Sequence, residues 1–150
     1  MLGTITAEHL EPHSTFKLGS HLMVADDIVS FAAQWDPLPM HTDVVAAESS
    51  AYGTLIASGL HTLAVYQRLA VLAVFSHWKV FAGRRIVDAK LLRPVRAGDT
   101  LRGTLTIESV RFTHPARALV TTLGVLTVGS ERALEVTVEA YVYRDEPHGR

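Results

Sequence analysis

The chain has 150 residues, of which 48% are apolar and 19% are charged, and its formal net charge is −1. This length and composition suit one globular domain with a sizeable core, and the low charge excludes the broad basic surface that sequence-independent nucleic-acid binding requires. The sequence contains no cysteine, which excludes disulfides, thiolate metal sites and a cysteine nucleophile.

No targeting or membrane segment is predicted from the sequence. Residues Met1 to His13 are polar and acidic and lack the basic start and apolar run of a signal peptide. The longest apolar stretch, Leu55 to Phe75, has about the length of a membrane span. However, His61, Gln67 and Arg68 interrupt its middle, where charge is costly in lipid. We therefore predict a buried helix in a cytoplasmic protein.

The first third of the chain changes from an extended to a helical pattern. Thr15 to Met23 is predicted as a first strand. From Asp26 the apolar residues recur at helical spacing, and Pro37 and Pro39 end this helix because proline donates no amide hydrogen and restricts the residue before it. The apolar positions at i, i+3, i+4 and i+7 are Ile28, Phe31, Ala32 and Trp35.

The rest of the chain predicts one long helix followed by strands. Asp43 to Ala51 is predicted to form one or two helical turns. Gly59 precedes about 15 residues that are apolar on almost every side, so other structure should wrap that helix. Four alternating segments follow: Arg84 to Val95, Thr100 to Phe112, Leu119 to Val128 and Ala133 to Tyr143. The order predicts an α+β domain with an antiparallel sheet curled around the helix.

Two side chains that can exchange protons, Asp36 and His41, lie five residues apart in a loop stiffened by two prolines. A rigid loop can hold a carboxylate and an imidazole toward one water, which is the geometry of general acid–base catalysis. From the residue types alone, a solvated loop with a helix-ending aspartate is the commoner explanation.

A second feature is the segment Leu55-Ile56-Ala57-Ser58-Gly59, directly before the long helix. A glycine at a helix start lets a ligand approach a backbone N–H that has no helical partner. Such an amide lies at the positive end of the helix dipole and suits an oxyanion. Plain capping by Ser58 or Gly59 accounts for the same residues.

Taken in order, these features resemble the MaoC-like dehydratases, which include the (R)-specific enoyl-CoA hydratases and have the hot-dog fold. Asp36, Pro39 and His41 match the family motif D-x-N-P-x-H, and Leu38 stands where the family has asparagine. The resemblance covers about residues 15 to 145. Further matches in chain order are Pro37, Tyr52-Gly53, Ile56-Ala57-Ser58-Gly59, His61-Thr62 and Leu92 to Thr100.

The resemblance implies a single hot-dog domain over residues 1–150 that adds water to a 2-enoyl-CoA thioester, or removes it from a 3-hydroxyacyl-CoA, in fatty acid metabolism. Asp36 would act as general base on a water that His41 also holds, and the N–H of Gly59 would stabilise the thioester oxygen. No metal is expected, and the only CoA expected is that of the substrate. The substrate-binding residues would be Ser58, Tyr52, Gly53, Leu38 and His61, although helix capping for Ser58 and a core histidine for His61 remain open.

Partners and rival functions follow from the same fold. A single hot-dog domain leaves its helix and one sheet edge poorly covered, so we expect a homodimer with the acyl site near the interface. An acyl-CoA thioesterase and a catalytically silent acyl-thioester-binding subunit remain open. The pairing of Asp36 with His41 favours the hydratase, whereas Leu38 favours the silent subunit. Basic residues that either meet CoA phosphates or form a solvated face are Lys79, Arg84, Arg85, Lys90, Arg93 and Arg96.

Overall fold

The computed structural model describes residues 3–147 and, within them, contains a five-stranded antiparallel sheet in the order β1-β3-β4-β5-β2. The helices are α1 (Ala25–Trp35), α2 (Pro39–Thr42), α3 (Val44–Glu48) and α4 (Gly59–Ala73). The strands are β1 (Thr15–Leu22), β2 (Val80–Leu91), β3 (Thr100–Arg111), β4 (Arg117–Val128) and β5 (Glu131–Tyr143). This is the predicted α+β hot-dog architecture, and the predicted antiparallel meander corresponds to β3, β4 and β5.

Helix α4 packs against the middle of the sheet through one face. Val65, Tyr66, Leu69 and Ala70 are buried there, and the Tyr66 ring lies over Gly124 of β4. A Cβ atom at position 124 would be 2.1 Å from Tyr66 Cζ, so glycine makes this close approach possible. On the opposite face, Leu72 is 58% exposed. Within the single chain the sheet therefore covers one face of α4 and leaves the opposite face uncovered, as expected for a lone hot-dog domain.

The segment between α1 and α4 is held in place by short-range caps and by two tertiary contacts. Pro39 occupies the first turn of α2, where its missing N–H costs nothing. Asp43 caps α3 by accepting hydrogen bonds from two backbone amides. Ile56 N donates to Met40 O at 3.3 Å, and Ala57 N donates to Val95 O at 2.8 Å. The residues before α4 are thus fixed between α2 and the chain that follows β2.

Strand β2 lies at an edge of the sheet and pairs only with β5. It covers Val80–Leu91, four residues earlier than the predicted Arg84 to Val95 at both ends. Three irregularities interrupt its register with β5, and most of its residues are exposed, so it lacks the alternation that a half-buried strand shows. Within residues 3–147, no helix is long and apolar enough to cross a membrane.

Candidate active site

Asp36 ends helix α1 and presents its carboxylate to the start of α4. Its backbone N–H donates to Ala32 O at 2.8 Å, which closes the last turn of the helix. The side-chain Oδ2 accepts a hydrogen bond from Ser58 Oγ at 2.7 Å. About a quarter of the side chain is exposed, so the carboxylate is fixed in direction but still reachable.

His41 is buried in the short helix α2, with 5% of its surface exposed. Its Nδ1 lies 2.8 Å from the carbonyl oxygen of Ile56. A carbonyl oxygen only accepts, so Nδ1 carries the hydrogen in this contact and Nε2 is left free in the neutral ring. That Nε2 atom lies 3.6 Å from Asp36 Oδ2. The structure therefore brings the two predicted proton-exchanging groups together.

The start of α4 supplies a free backbone donor next to this pair. Ser58 is the N-cap: its Oγ accepts from Leu60 N at 3.2 Å, and its carbonyl accepts from the amides of His61 and Thr62. The remaining amide of this first turn, the N–H of Gly59, has no hydrogen-bond acceptor within residues 3–147. Such an amide at the positive end of a 15-residue helix can bind an oxygen that gains negative charge.

Two adjoining cavities open beside Gly59. The first, of about 420 Å³, is called the His41 cavity, and its lining includes His41, Tyr52, Thr62 and Arg93. The second, of about 240 Å³, is called the Asp36 cavity, and Asp36 is the one charged residue in its lining. The other residues of that lining are apolar: Leu60, Leu63, Ala89, Leu134 and the two residues shared with the His41 cavity, Gly59 and Leu91.

A larger cavity, of about 550 Å³, lies near the other end of α4. Its lining includes Arg84, Arg85 and Glu139, which form one salt-bridged cluster: each arginine donates to Glu139 at 2.8 Å. The hydrogen bond from Arg85, and then that from Arg84, holds the pKa of the Glu139 carboxyl below its usual range. Because this cavity contains no free proton-exchanging pair, we place the candidate site at Asp36 and His41.

Of the predicted substrate-binding residues, two lie at the site and three lie outside it. Tyr52 lines the His41 cavity, and Ser58 touches Asp36 itself. Gly53 lies in an exposed turn with φ +69°. Leu38 is 47% exposed and borders neither cavity. His61 also borders neither cavity; it is buried and stacks on Phe31, with ring centroids 4.6 Å apart.

Most of the basic residues near β2 have acidic partners. Arg93 donates to Glu131 Oε2 at 2.6 Å and also approaches Asp99 Oδ2 at 3.8 Å, while it lines the His41 cavity. Lys90 lies 3.8 Å from Asp88. Within residues 3–147, the His, Asp and Glu side chains form no group of three that could hold a metal ion.

Two features of the site were missed from the sequence. The hydrogen bond from Ser58 to Asp36 joins residues 22 positions apart, whereas the sequence analysis gave Ser58 only a substrate-binding or a helix-capping role. Leu91, which borders both cavities, lies within a predicted strand, and no motif near it indicated a role in the site.

The five-stranded sheet and the long helix α4 define a hot-dog protein. Its candidate site is an acid–base pair beside the N-terminus of that helix. The chain belongs to the MaoC-like domain family, whose model matches residues 6–129. It is 34% identical over 113 residues to the uncharacterized protein YdeM of Bacillus subtilis (strain 168), covering 75% of this chain and 76% of that protein.

Solved structures show the same fold. A MaoC-like dehydratase from Rhodospirillum rubrum aligns with a TM-score of 0.83 and 28% identity, covering 96% of this chain and 100% of that chain. The (R)-hydratase PhaJ1 from Pseudomonas aeruginosa aligns with a TM-score of 0.75 and 20% identity, covering 97% of this chain and 89% of that chain.

Proposed function

We propose that this protein is a hydro-lyase that adds water to a 2-enoyl-CoA thioester or removes water from the 3-hydroxyacyl-CoA product. The observation that carries the proposal is the 3.6 Å separation between Asp36 Oδ2 and His41 Nε2. A hydrogen bond from Ser58 orients the carboxylate, and a hydrogen bond to the Ile56 carbonyl orients the imidazole. Membership of a family that includes dehydratases supports the same reaction class.

The pair is suited to hold one water between two acceptors. With its hydrogen on Nδ1, the neutral His41 ring offers a lone pair at Nε2, and the Asp36 carboxylate offers another at Oδ2. A water in contact with both atoms donates one hydrogen to each, which turns its own lone pairs toward the substrate. In the hydration direction, Asp36 accepts a proton as the water oxygen forms a bond to C3, and the proton is then delivered to C2.

The negative charge that develops during this reaction appears on the thioester oxygen. The Gly59 N–H lies at the start of α4, beside both Asp36 and His41 in the cavity linings. A fixed backbone donor at a helix N-terminus stabilises an enolate oxygen without having to reorganise when the charge forms. The apolar lining of the Asp36 cavity would accommodate the acyl chain, and the His41 cavity would accommodate the start of the pantetheine arm.

The test is the loss of enoyl-thioester absorbance when purified protein acts on crotonyl-CoA, with a thiol reagent in a parallel reaction. We expect hydration without thiol release, and a fall of about two or more orders of magnitude in Asp36→Asn. Asp43→Asn is the matched control, because asparagine also caps helices and Asp43 lies in neither cavity lining.

The outcomes distinguish the alternatives. Free thiol would indicate the thioesterase, and no change with crotonyl-CoA or longer enoyl-CoAs would indicate the silent binding subunit. Near-native hydration by Asp36→Asn would show that Asp36 is not the base.

A further inference from the structure

The side chain of Leu91, the last residue of β2, lies against the first residue of α4. A Cβ atom added to Gly59 would be 2.1 Å from Leu91 Cδ1 and 3.3 Å from Leu91 Cγ. Any side chain at position 59 would therefore occupy the space that the leucine fills. The leucine therefore lies against the Cα of the residue whose N–H the proposed function assigns to the thioester oxygen.

This contact separates the two cavities of the site. Gly59 and Leu91 are the two residues of the described chain that border both the His41 cavity and the Asp36 cavity. Asp36 lines one cavity and His41 lines the other, although their side chains are only 3.6 Å apart. The partition formed by Leu91 and Gly59 thus runs through the place where the reacting atoms would lie.

A thioester that binds as proposed must cross this partition. Its carbonyl oxygen lies at Gly59, its acyl chain extends toward Asp36, and its thiol arm extends past His41. Leu91 must then turn away from Gly59. In the single chain Leu91 is 58% exposed, so its side chain can change between staggered rotamers without repacking the core of its own domain.

We propose that Leu91 is a gate and a specificity-determining residue, which swings off Gly59 when the thioester binds and then packs against the acyl chain. This inference rests on one part of the proposed function, namely that the ligand is an acyl thioester, and does not require that the protein hydrates it. Because Leu91 forms one wall of a cavity of about 240 Å³, its size limits the length of the acyl group. The remaining lining of that cavity selects a short apolar chain, since the Asp36 carboxylate repels a second carboxylate.

The test compares Leu91→Ala and Leu91→Phe with Val87→Ala, a control on the same strand that is 43% exposed and borders neither cavity. Isothermal titration calorimetry measures the binding of CoA, butyryl-CoA and octanoyl-CoA to each variant. We expect Leu91→Ala to bind octanoyl-CoA about tenfold or more tightly than wild type does, because methylene-sized changes in an apolar site are discriminated on this scale. The affinity for CoA itself should change less than that for octanoyl-CoA, because CoA has no acyl chain for Leu91 to limit.

Leu91→Phe should shift the preference the other way, toward butyryl-CoA, and Val87→Ala should keep the wild-type profile. Parallel chain-length profiles for Leu91→Ala and Val87→Ala would overturn the gate, as would the absence of acyl-CoA binding in every variant. Saturated thioesters cannot be hydrated, so this experiment does not depend on turnover. A chain-length shift in a protein that fails to hydrate crotonyl-CoA would support the gate while contradicting the hydro-lyase.

Discussion

Ser58 connects helix capping with the candidate catalytic group. Its hydroxyl hydrogen is donated to Asp36 Oδ2 at 2.7 Å, while its oxygen accepts from Leu60 N at 3.2 Å. The two contacts use the one donor hydrogen and one acceptor lone pair of the hydroxyl, and the residue is fully buried. The same side chain therefore completes the first turn of α4 and fixes the direction of the Asp36 carboxylate, which makes Ser58 a positioning residue.

Ser58→Ala should reduce both stability and turnover. Loss of the N-cap is expected to lower the free energy of unfolding by about 1 kcal/mol. Loss of a hydrogen bond to a charged group should lower kcat by about tenfold or more, with a smaller effect on KM. Urea denaturation and the crotonyl-CoA assay measure the two effects. Ser58→Thr, which keeps the hydroxyl, should restore both, and an unchanged kcat in Ser58→Ala would leave Ser58 with the capping role alone.

His61 is a buried histidine that the proposed mechanism does not use. It stacks on Phe31 with an interplanar angle of 12°, and its Nδ1 has no hydrogen-bond partner among the described residues. Burial lowers the pKa of His61 below its ordinary value of 6.5, although Asp27 partly opposes this effect. The structure therefore places His61 as a neutral core residue.

This burial should make stability depend on pH. As pH falls below about 6.5, His61 takes up a proton in the unfolded chain before it does so in the folded one, so stability is lost from that pH down to the lowered folded pKa. His61→Phe should remove this part of the slope in urea denaturation between about pH 8 and about pH 5. Phe31→Leu should lower stability but keep the slope. An unchanged slope in His61→Phe would contradict the assignment.

The proximity of Asp36 and His41 could be predicted from the sequence, because only five residues separate them. The structure has Asp36 at the end of α1 and His41 in the short helix α2, where a single loop was predicted. The contacts of Ser58 with Asp36 and of Leu91 with Gly59 join distant segments. Such contacts depend on how helix and strand pack, and local periodicity contains no information about them.

At the level of elements, the fit of α4 to the sheet depends on one glycine under one aromatic ring. Gly124→Ala should be destabilising, because the added methyl group would lie 2.1 to 2.3 Å from atoms of Tyr66, a residue only 1% exposed. Overpacking of this kind costs about 1 to 3 kcal/mol, measurable by thermal or urea denaturation. Gly83→Ala, where nothing lies within 4 Å of the added atom, is the control and should be close to neutral. Equal effects would mean that the ring can move aside.

The strands differ in how far the sequence predicted them, and the reason is burial. Apolar and polar residues alternate in β3 and β5, whereas β4, in the middle of the sheet, is buried along most of its length. For all three, the predicted segments agree with the observed strands to within about two residues. β2 is exposed along most of its length and irregular near Arg84. This irregularity lets Arg84 and Arg85, adjacent in sequence, both reach Glu139. The burial of the β2 residues therefore does not alternate along the strand.

On the scale of the whole molecule, the β2 edge is a long surface that one chain leaves uncovered. β2 has 12 residues and presents Ile86, Val87 and Leu91 as exposed apolar side chains. The cavity of about 550 Å³ between α4, β2 and β5 adjoins it. A long apolar edge strand promotes association unless it is paired or protected. We therefore expect two chains to join their sheets at β2, which would place Leu91 and both site cavities near the interface.

Ile86→Lys should separate such a dimer, because Ile86 is 56% exposed on β2 and lines the large cavity. A lysine on an edge strand also opposes strand pairing. Sedimentation velocity should give the mass of two chains for wild type and of one chain for the variant. Leu22→Lys is the matched control, since Leu22 is equally exposed on β1, the opposite edge of the sheet, and should remain dimeric. Dissociation only in Leu22→Lys would place the association surface at β1. A monomeric wild type would contradict the dimer itself.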